Sequence, residues 1–419
     1  TPGARYRISG FVENLRNKKK MAFLVIRDIS GKLQVTVEKE KNAELAALVD
    51  QLTLDSVVTV EGEVVANEYV KMGGMEMLPD TLRIESVAEA LPIQDDSDID
   101  ARMDYRWIDL RREQNQLMLR LQTTLTAALR EFLLEREFVE IHTPKLIAAA
   151  SESGSEVFEV KYFDTKAYLA QSPQFYKQTM VGVYVRVFEV GPVFRAEKHA
   201  TTRHLNEYTS LDFEMGFIDS FADVMQMETA LLQSVFRLLN AEYAGELALL
   251  GIELPDASRI PALPFREAKE RAAQRYGYRI RDPYDLEPEE EQKISQMVRE
   301  DTGSDFAFIT HYPAKKRPFY AMDDPQDAHY TLSFDLLFRG MEVTTGGQRI
   351  HDYAQQVEKM ERLGMEIAEF SDYLRAHRNG LPPHGGLGIG LERLTMKLAG
   401  AKNIREAALF PRDIHRLTP

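Results

Sequence analysis

The sequence predicts an α+β protein with a small N-terminal β-barrel and a larger second domain. At 419 residues, 44% of them hydrophobic, the chain is too long for one ordinary domain and can build a large core. Short β-type runs fill the first 90 residues, whereas the rest combines long helical patterns with strand pairs. We therefore expect a first domain at 1–90, a hinge at 91–103 and a second domain at 104–419.

Composition excludes several kinds of site. The chain has no cysteine, which excludes disulfides, thiolate catalysis and thiolate zinc sites, and its nine histidines show no paired metal-ligand spacing. We therefore expect any metal to be a hard cation bound by oxygen. The formal net charge of −14 argues against a nucleic-acid partner, but it does not decide the question because phosphate binding depends on local basic patches.

The sequence shows no sign of a membrane span or an export signal. No run of eighteen apolar residues occurs, and the N-terminus lacks a charged-then-apolar pattern. We therefore expect no membrane partner and a cytoplasmic location.

The first 90 residues have the pattern of a small β domain. Glycines at Gly31, Gly62 and Gly73-Gly74 separate the β-type runs, and one helical segment interrupts them near Asn42–Leu52. This order fits a five-stranded barrel of the oligonucleotide-binding (OB) type. The predicted strands are Arg5–Asn14, Ala22–Asp28, Leu33–Glu38, Ser56–Val65 and Met77–Ile84.

A basic cluster, Arg16 and Lys18–Lys20, is predicted to lie in the loop after the first strand. In barrels of this type that loop and the middle strands form the nucleic-acid face, where bases stack on aromatic rings. Phe23 offers such a ring and Gln34 an amide for hydrogen bonding. The alternative is that Phe23 belongs to the core and the lysines form a solvated hairpin tip.

A linker signature and a long helix follow. Leu91–Asp100 combines a proline with four aspartates, which is typical of a hinge. Apolar residues then recur at helical spacing from Leu117 to Leu133, which predicts a helix with one apolar face. We interpret the next segment, Phe138–Leu146, as a strand ended by Pro144.

Three later segments, Phe194–Glu214, Phe334–Asp352 and Gly385–Leu394, are unusually polar for the strands they contain. Arginine suits a triphosphate because the planar guanidinium binds two oxygens at once. The segments therefore predict a nucleotide held from several sides, with a solvated loop and packing glycines as the alternatives. The polar residues are Arg195, Glu197, Asp335, Glu342, Thr345, Arg349, Glu392 and Arg393.

Two further helices are predicted, and only the first carries candidate site residues. AYLAQSPQFYKQ runs from a strand through a Ser-Pro turn into a helix, with Gln174 and Lys177 on one face. A lysine in such a place is usually a solvated surface charge. The acidic stretch Asp282–Glu300 predicts a surface helix, and we assign it no role.

The motifs resemble those of a known enzyme family. The long helix ending in the strand Phe138–Pro144 resembles motif 1 of the class II aminoacyl-tRNA synthetases, FRAEKHATTRHLNE resembles motif 2, and GLGIGLERL resembles motif 3. More narrowly, DYRWIDLRR, QSPQFYKQ, TTRHLNEY, RPFY and TTGGQRIH together resemble the aspartyl-tRNA synthetases of archaeal and eukaryotic type. The segment Ala241–Asp301 is too short for the large insertion of the bacterial form.

The resemblance implies a fold, an activity and partners. It implies a catalytic domain built on an antiparallel sheet flanked by helices, and a homodimer with Pro144 at the interface. It implies ATP-dependent activation of L-aspartate with Mg²⁺ and transfer to tRNA(Asp). Pro79 resembles a proline of those relatives that charge both tRNAs, so tRNA(Asn) is kept as a second candidate substrate of this chain. Asparaginyl-tRNA synthetase and a tRNA-free aspartate-activating ligase are the alternatives, which Arg349-Ile350-His351 and the barrel respectively disfavour.

The resemblance also implies roles for individual residues. Arg195 would contact the α-phosphate of ATP and Arg393 the γ-phosphate, and Glu342 completes the implied catalytic set. The implied ATP-binding residues are Arg195, Ala196, Glu197, Arg203, His204, Leu205, Glu342, Gly390, Leu391, Glu392 and Arg393. The implied aspartate-binding residues are Glu152, Gln174, Phe175, Tyr176, Lys177, Arg195, Thr345 and Arg349.

The remaining implied roles concern the metal and the anticodon. Asp335, Glu342 and Thr345 would hold Mg²⁺. Phe23 and Gln34 would engage the middle base of the anticodon, and Lys18 and Pro79 would lie near the third base. The chain departs from the commonest family pattern at Thr345, where serine is frequent, and at Ala200, where asparagine is frequent.

Overall fold

The computed structural model of the chain describes residues 2–148, 156–199 and 201–418. Contacts divide the chain into two compact units, Thr1–Ile108 and Asp109–Pro419. None of the helices in the described residues is long and apolar enough to cross a membrane.

The first unit contains a closed five-stranded barrel with the strand order β1-β2-β3-β5-β4. Its inward-facing side chains alternate along each strand, as in β2, where Ala22, Leu24 and Ile26 are buried. The OB-type fold and all five predicted strands are confirmed. The elements are β1 Arg5–Asn17, β2 Met21–Asp28, β3 Gly31–Glu38, α1 Ala43–Val49, β4 Val57–Ala66 and β5 Met75–Ser86.

The basic cluster differs from its prediction at one residue. Lys18–Lys20 connect β1 to β2, and the hairpin is closed by a bond from Lys18 N to Met21 O at 2.9 Å. Arg16 instead lies within β1, opposite Phe23 of β2. The strand runs longer than predicted because β2 pairs with it as far as Asn17.

The second unit is built on an eight-stranded sheet with the order β12-β13-β14-β15-β16-β11-β10-β6. Neighbouring strands are antiparallel except the pairs β12/β13 and β6/β10, which confirms the predicted, mainly antiparallel sheet. A small three-stranded sheet has the order β7-β9-β8. The strands are β6 Val139–Glu140, β7 Leu146–Ile147, β8 Glu159–Tyr162, β9 Thr165–Leu169, β10 Arg186–Phe194, β11 Glu207–Gly216, β12 Ala262–Pro264, β13 Phe306–Thr310, β14 Ser333–Phe338, β15 Met341–Arg349 and β16 His384–Gly390.

Helices flank this sheet. The predicted long helix is α4, whose apolar stripe is buried from Leu117 to Leu133 and packs with α6 against the sheet. Ser220 caps α6 in a capping box with Asp223. The helices of the second unit are α4 Glu113–Leu134, α5 Gln174–Tyr184, α6 Phe221–Leu249, α7 Phe265–Tyr276, α8 Pro288–Thr302, α9 Tyr353–Arg362, α10 Ser371–Arg378 and α11 Leu391–Leu398. Two short helices, α2 Ile99–Asp104 and α3 Arg106–Asp109, precede α4 in the chain, where the first unit ends.

The strand predicted over Phe138–Leu146 is wrong in length. Only the two residues of β6 pair with β10, and the chain then leaves the edge of the sheet. Thr143 fixes this departure, because its backbone N–H and its hydroxyl both donate to the buried carboxylate of Glu189, at 2.8 and 2.7 Å. After Glu140, hydrogen bonds to the Glu189 side chain therefore take the place of the strand-to-strand backbone hydrogen bonds that were predicted.

Candidate active site

The site lies over the centre of the sheet, where β11, β16 and β15 are neighbours. The glycines of β16 leave room for carboxylates on β11: a Cβ at Gly386 would lie 2.2 Å from Glu214 Oε2, and one at Gly388 would lie 3.0 Å from Asp212 Oδ1. Asp212 and Gly388 are register partners, as are Glu214 and Gly386. The glycine run therefore serves to pack two acidic side chains.

A cavity of about 450 Å³ opens above these strands. It brings together residues from α5, β11, β14, β15, β16, α11, the loop between β10 and β11, and the segment 316–321. Segments more than 200 residues apart in sequence thus share one site, as the three polar segments predicted. The predicted residues that line it are Gln174, Lys177, Arg195, Glu197, Arg203, His204, Leu205, Glu342, Thr345, Arg349, Gly390, Glu392 and Arg393.

Several predicted site residues lie elsewhere. Phe175 packs in an aromatic cluster with Phe319 and Tyr373, at ring-centroid distances of 6.0 and 4.8 Å. Leu391 is part of the main core, while Ala196 and Tyr176 are absent from the cavity lining. Their implied ligand roles remain predictions. Glu152 and Ala200 lie outside the described residues.

One end of the cavity holds two buried cations on two buried carboxylates. Lys177 is only 2% exposed, so the solvated surface position is wrong. Its Nζ donates to Asp212 Oδ1 and to Leu387 O, both at 2.9 Å, and lies 3.3 Å from Glu214. Arg349 donates to Glu214 and to Gly386 O, each at 3.0 Å. Burial alone would raise the pKa of Glu214, but Arg349 and Lys177 outweigh it and lower that pKa.

The other end of the cavity is strongly cationic. Arg195, Arg203 and Arg393 all line it, together with His204. Burial lowers the pKa of His204 to about 4, and the neighbouring Arg393 and Arg203 contribute to the shift. His204 is therefore neutral at pH 7, and the positive charge comes from the arginines. This combination suits a polyphosphate.

Glu392, beside Arg393, is bound to the backbone. Its two carboxylate oxygens accept hydrogen bonds from Thr209 N at 3.0 and 3.1 Å. Burial raises the pKa of Glu392 to about 7. Glu392 therefore ties the start of α11 to β11 and helps to orient the adjacent Arg393.

Two carboxylates from β14 and β15 form a candidate magnesium site. Asp335 and Thr345 are register partners, and Thr345 donates its hydroxyl to Glu342 at 2.9 Å. Burial raises the pKa of Asp335 despite an ion pair with Arg317 at 2.8 Å, whereas Arg393 and Thr345 lower that of Glu342 against the effect of burial. Asp335 is 5% exposed and, unlike Glu342 and Thr345, is not among the residues that line the cavity. Oxygen ligands of this kind fit Mg²⁺.

The structure adds residues that the sequence interpretation did not assign. Asp212, Lys316 and Arg317 line the cavity, and Glu214 and Glu291 hold cavity cations. Acids at alternate positions of the otherwise apolar strand SLDFEMGF were a signal for Asp212 and Glu214. The surface helix predicted in the acidic stretch is only partly exposed, because Glu290 and Glu291 of α8 are buried. No local pattern singled out Glu291.

In the first unit, the predicted anticodon residues lie on β2, β3, β5 and the hairpin between β1 and β2. Phe23 is half-buried between buried neighbours, so it faces outwards and the core alternative is wrong. Gln34 donates to Glu76 at 3.0 Å, and Asn67 donates to the other oxygen of Glu76 at 2.7 Å. Pro79 is half-buried on β5, and Lys18 is exposed.

Comparison with known proteins places the chain in a family. The family model described as tRNA synthetases class II (D, K and N) matches residues 98–414, which is most of the chain. The chain belongs to the class II tRNA synthetases. A second model, described as OB-fold nucleic acid binding domain, matches residues 6–85. The resemblance stated from the motifs and the predicted fold class are thus confirmed.

Individual relatives of this synthetase span both units. It is 42% identical to the aspartate–tRNA(Asp/Asn) ligase of Aeropyrum pernix, over 100% of this chain and 96% of the relative. It is 41% identical to the aspartate–tRNA(Asp) ligase of Picrophilus torridus, over 98% of this chain and 96% of that protein. The structure of asparaginyl-tRNA synthetase from Pyrococcus horikoshii complexed with asparaginyl-adenylate is similar, with a TM-score of 0.94, 31% identity and coverage of 100% and 97%.

Proposed function

We propose that this synthetase activates L-aspartate with ATP and transfers it to tRNA(Asp) and tRNA(Asn). The observation that carries the proposal is the pair of buried cations, Lys177 and Arg349, at one end of the cavity. Asp212 and Glu214 already pair with these cations. A substrate carboxylate would add a charge-assisted hydrogen bond to them, whereas the amide of asparagine would offer only a neutral acceptor. Hydrogen bonds to charged groups contribute about 1.5–3 kcal/mol. The names of the ligases from A. pernix and P. torridus support aspartate as the substrate.

The cavity orders the two reactants for adenylate formation. With aspartate at the Lys177 end and ATP at the arginine end, the α-carboxylate of aspartate attacks the α-phosphorus and pyrophosphate leaves. Arg195 stabilises charge on the α-phosphate, and Arg393 stabilises charge on the γ-phosphate. Asp212 provides an acceptor for the ammonium group of the substrate. The terminal ribose hydroxyl of the tRNA then attacks the adenylate carbonyl and AMP leaves, so no protein nucleophile is required.

Asp335 and Glu342 would hold Mg²⁺. The bound ion would neutralise charge on the β- and γ-phosphates. Thr345 orients Glu342 through its hydroxyl. The charge of nearby Glu342 contributes to the raised pKa of Asp335, and a cation bound by the two carboxylates would relieve this repulsion.

The tRNA, the second subunit and the location complete the proposal. Residues 1–90 would read the anticodon through Phe23, Gln34, Lys18 and Pro79, and residues 104–419 would catalyse both steps. A homodimer would form through the segment around Pro144, where Val139 and Leu146 are 38% and 47% exposed. The protein would act in the cytoplasm.

Asparaginyl-tRNA synthetase is the second candidate, because the similar P. horikoshii structure carries that name. The deciding experiment is aminoacylation of purified aspartate and asparagine tRNA transcripts with labelled aspartate or asparagine. We expect aspartate on both tRNAs and no asparagine on either. Arg349→Ala should lose aspartate charging, whereas Arg375→Ala, on the exposed face of α10, should not. Charging by asparagine alone would overturn the proposal.

A further inference from the structure

A buried glutamate on the acidic helix α8 completes a ring of residues at the cationic end of the cavity. Glu291 is 5% exposed and accepts two hydrogen bonds from Arg203 Nη2, at 2.8 and 2.6 Å. The same carboxylate accepts the backbone N–H of Glu342 at 2.9 Å. One side chain thus joins the loop between β10 and β11 to the start of β15.

Arg393 closes the ring from the opposite side. Its Nε donates to Arg203 O at 3.3 Å, and its Nη1 donates to Glu342 O at 3.3 Å. The four-residue ring is therefore Arg203, Glu291, Glu342 and Arg393. Three of its members line the cavity, whereas Glu291 supports them from outside it.

The local structure holds Glu291 firmly. It lies in the first turn of α8, where Glu287 N donates to the Glu290 carboxylate at 3.0 Å. Buried Lys269 of α7 donates to the same Glu290 at 2.6 Å. The beginning of α8 is thus anchored to α7, and the direction from which Glu291 approaches Arg203 is fixed.

We propose that Glu291 is a positioning residue for ATP, which sets the orientation of the Arg203 guanidinium and its separation from Glu342. The inference rests on the proposed ATP site. Only Nη2 of Arg203 is bound to Glu291 in the structure, so Nη1 is left to meet a phosphate oxygen. A flexible arginine that is held by a carboxylate loses less conformational freedom when the nucleotide binds. The acidic helix thereby acquires a role in substrate binding.

The test compares Glu291→Gln and Glu291→Asp with the wild type in the full-length protein. Binding of ATP with Mg²⁺ is measured by titration calorimetry, and the KM values for ATP and aspartate are measured by pyrophosphate exchange. Losing a charge-assisted bond should weaken ATP binding roughly tenfold in Glu291→Gln, and the shorter acid should weaken it about threefold. The KM for aspartate should stay within about twofold, because Lys177 and Arg349 are not in the ring.

Two controls separate positioning from general damage to the fold. Glu289→Gln removes an exposed acid from the same turn of α8 and should leave ATP binding unchanged. In an Arg203→Ala background, Glu291→Gln should weaken ATP binding by less than about twofold, because the partner is already gone. A purely structural role would instead lower the thermal midpoint and the active fraction without separating the two KM values.

Wild-type ATP affinity in either folded Glu291 variant would overturn the inference. So would equal effects of Glu291→Gln with and without Arg203. If the wild type binds ATP but does not exchange pyrophosphate in the presence of aspartate, the proposed function fails, while the ATP measurements still decide the role of Glu291. If the wild type does not bind ATP, both proposals fail.

Discussion

Arg349 donates a hydrogen bond from Nε to Glu214 Oε1 at 3.0 Å, in a place where the arginine is 5% exposed and the glutamate is fully buried. The second oxygen of Glu214 lies 3.3 Å from Lys177 Nζ. Glu214 therefore contacts both buried cations that line the cavity, and Asp212 pairs with Lys177 as well. Because buried charges are stable only when paired, the geometry of the amino-acid end depends on Glu214.

Glu214→Gln should destabilise the fold. The amide keeps the size of the side chain but leaves Lys177 and Arg349 with less compensating charge, which should lower the free energy of unfolding by about 3–5 kcal/mol. Urea unfolding measures this difference. Glu358→Gln, at an exposed position of α9, is the matched control and should stay within about 0.5 kcal/mol. A wild-type midpoint for Glu214→Gln would show that the cations do not need the charge.

Phe23→Ala should impair tRNA charging without affecting activation of aspartate. Stacking of one base on an aromatic ring contributes about 1–3 kcal/mol, so kcat/KM for the tRNA should fall roughly tenfold. Pyrophosphate exchange, which uses only ATP and aspartate, should be unchanged. Leu54→Ala, which changes an exposed apolar residue of the barrel domain, should change neither rate. Equal losses in both assays would contradict an anticodon role for Phe23.

Glu228→Gln should become more stable relative to the wild type as the pH rises. Glu228 lies on α6 and is fully buried, and burial raises its pKa from 4.5 to about 8. Between pH 4.5 and pH 8 the carboxyl of Glu228 is protonated in the folded protein but ionised in the unfolded chain. The free energy of unfolding of the wild type therefore decreases as the pH rises through this window.

The neutral glutamine lacks this dependence. The difference in unfolding free energy should therefore shift in favour of Glu228→Gln by about 1.4 kcal/mol per pH unit within that window and level off above it. Chemical denaturation of both proteins from pH 5 to pH 9 measures the slope. A difference that does not change with pH would mean that Glu228 is ionised in the folded protein.

Lys269→Met should destabilise the second unit. Lys269 is 2% exposed and donates to Asp282 O at 2.8 Å, Asp285 O at 2.5 Å and Glu290 Oε2 at 2.6 Å. Its removal leaves the buried Glu290 without a cation, at a cost of about 3–5 kcal/mol. The thermal midpoint and urea unfolding measure this loss.

Two further variants test that explanation. Adding Glu290→Gln to Lys269→Met should recover part of the stability, because the uncompensated charge is removed. Arg266→Met breaks only an exposed pair with Glu270 and should cost less than about 1 kcal/mol. If the double variant were less stable than Lys269→Met alone, charge compensation would not be the cause.

Much of the architecture was predictable because it is encoded in local patterns. Alternating apolar residues and glycine breaks predicted all five strands of the barrel, and helical periodicity predicted α4. These signals depend only on neighbouring residues and on whether one face is buried. The motifs also predicted thirteen of the residues that line the cavity, since their residue types and order carry the family resemblance.

By itself, the sequence determined the fold class, the family and the polar segments that meet in the site. Only the tertiary structure decided which carboxylate holds which cation: Glu214 with Arg349, Glu290 with Lys269, and Glu291 with Arg203. It also decided that the strand after α4 ends at Glu140. The partners within these ion pairs are 21 to 135 residues apart, so their pairing follows from sheet register and helix packing, which no local pattern of residues specifies.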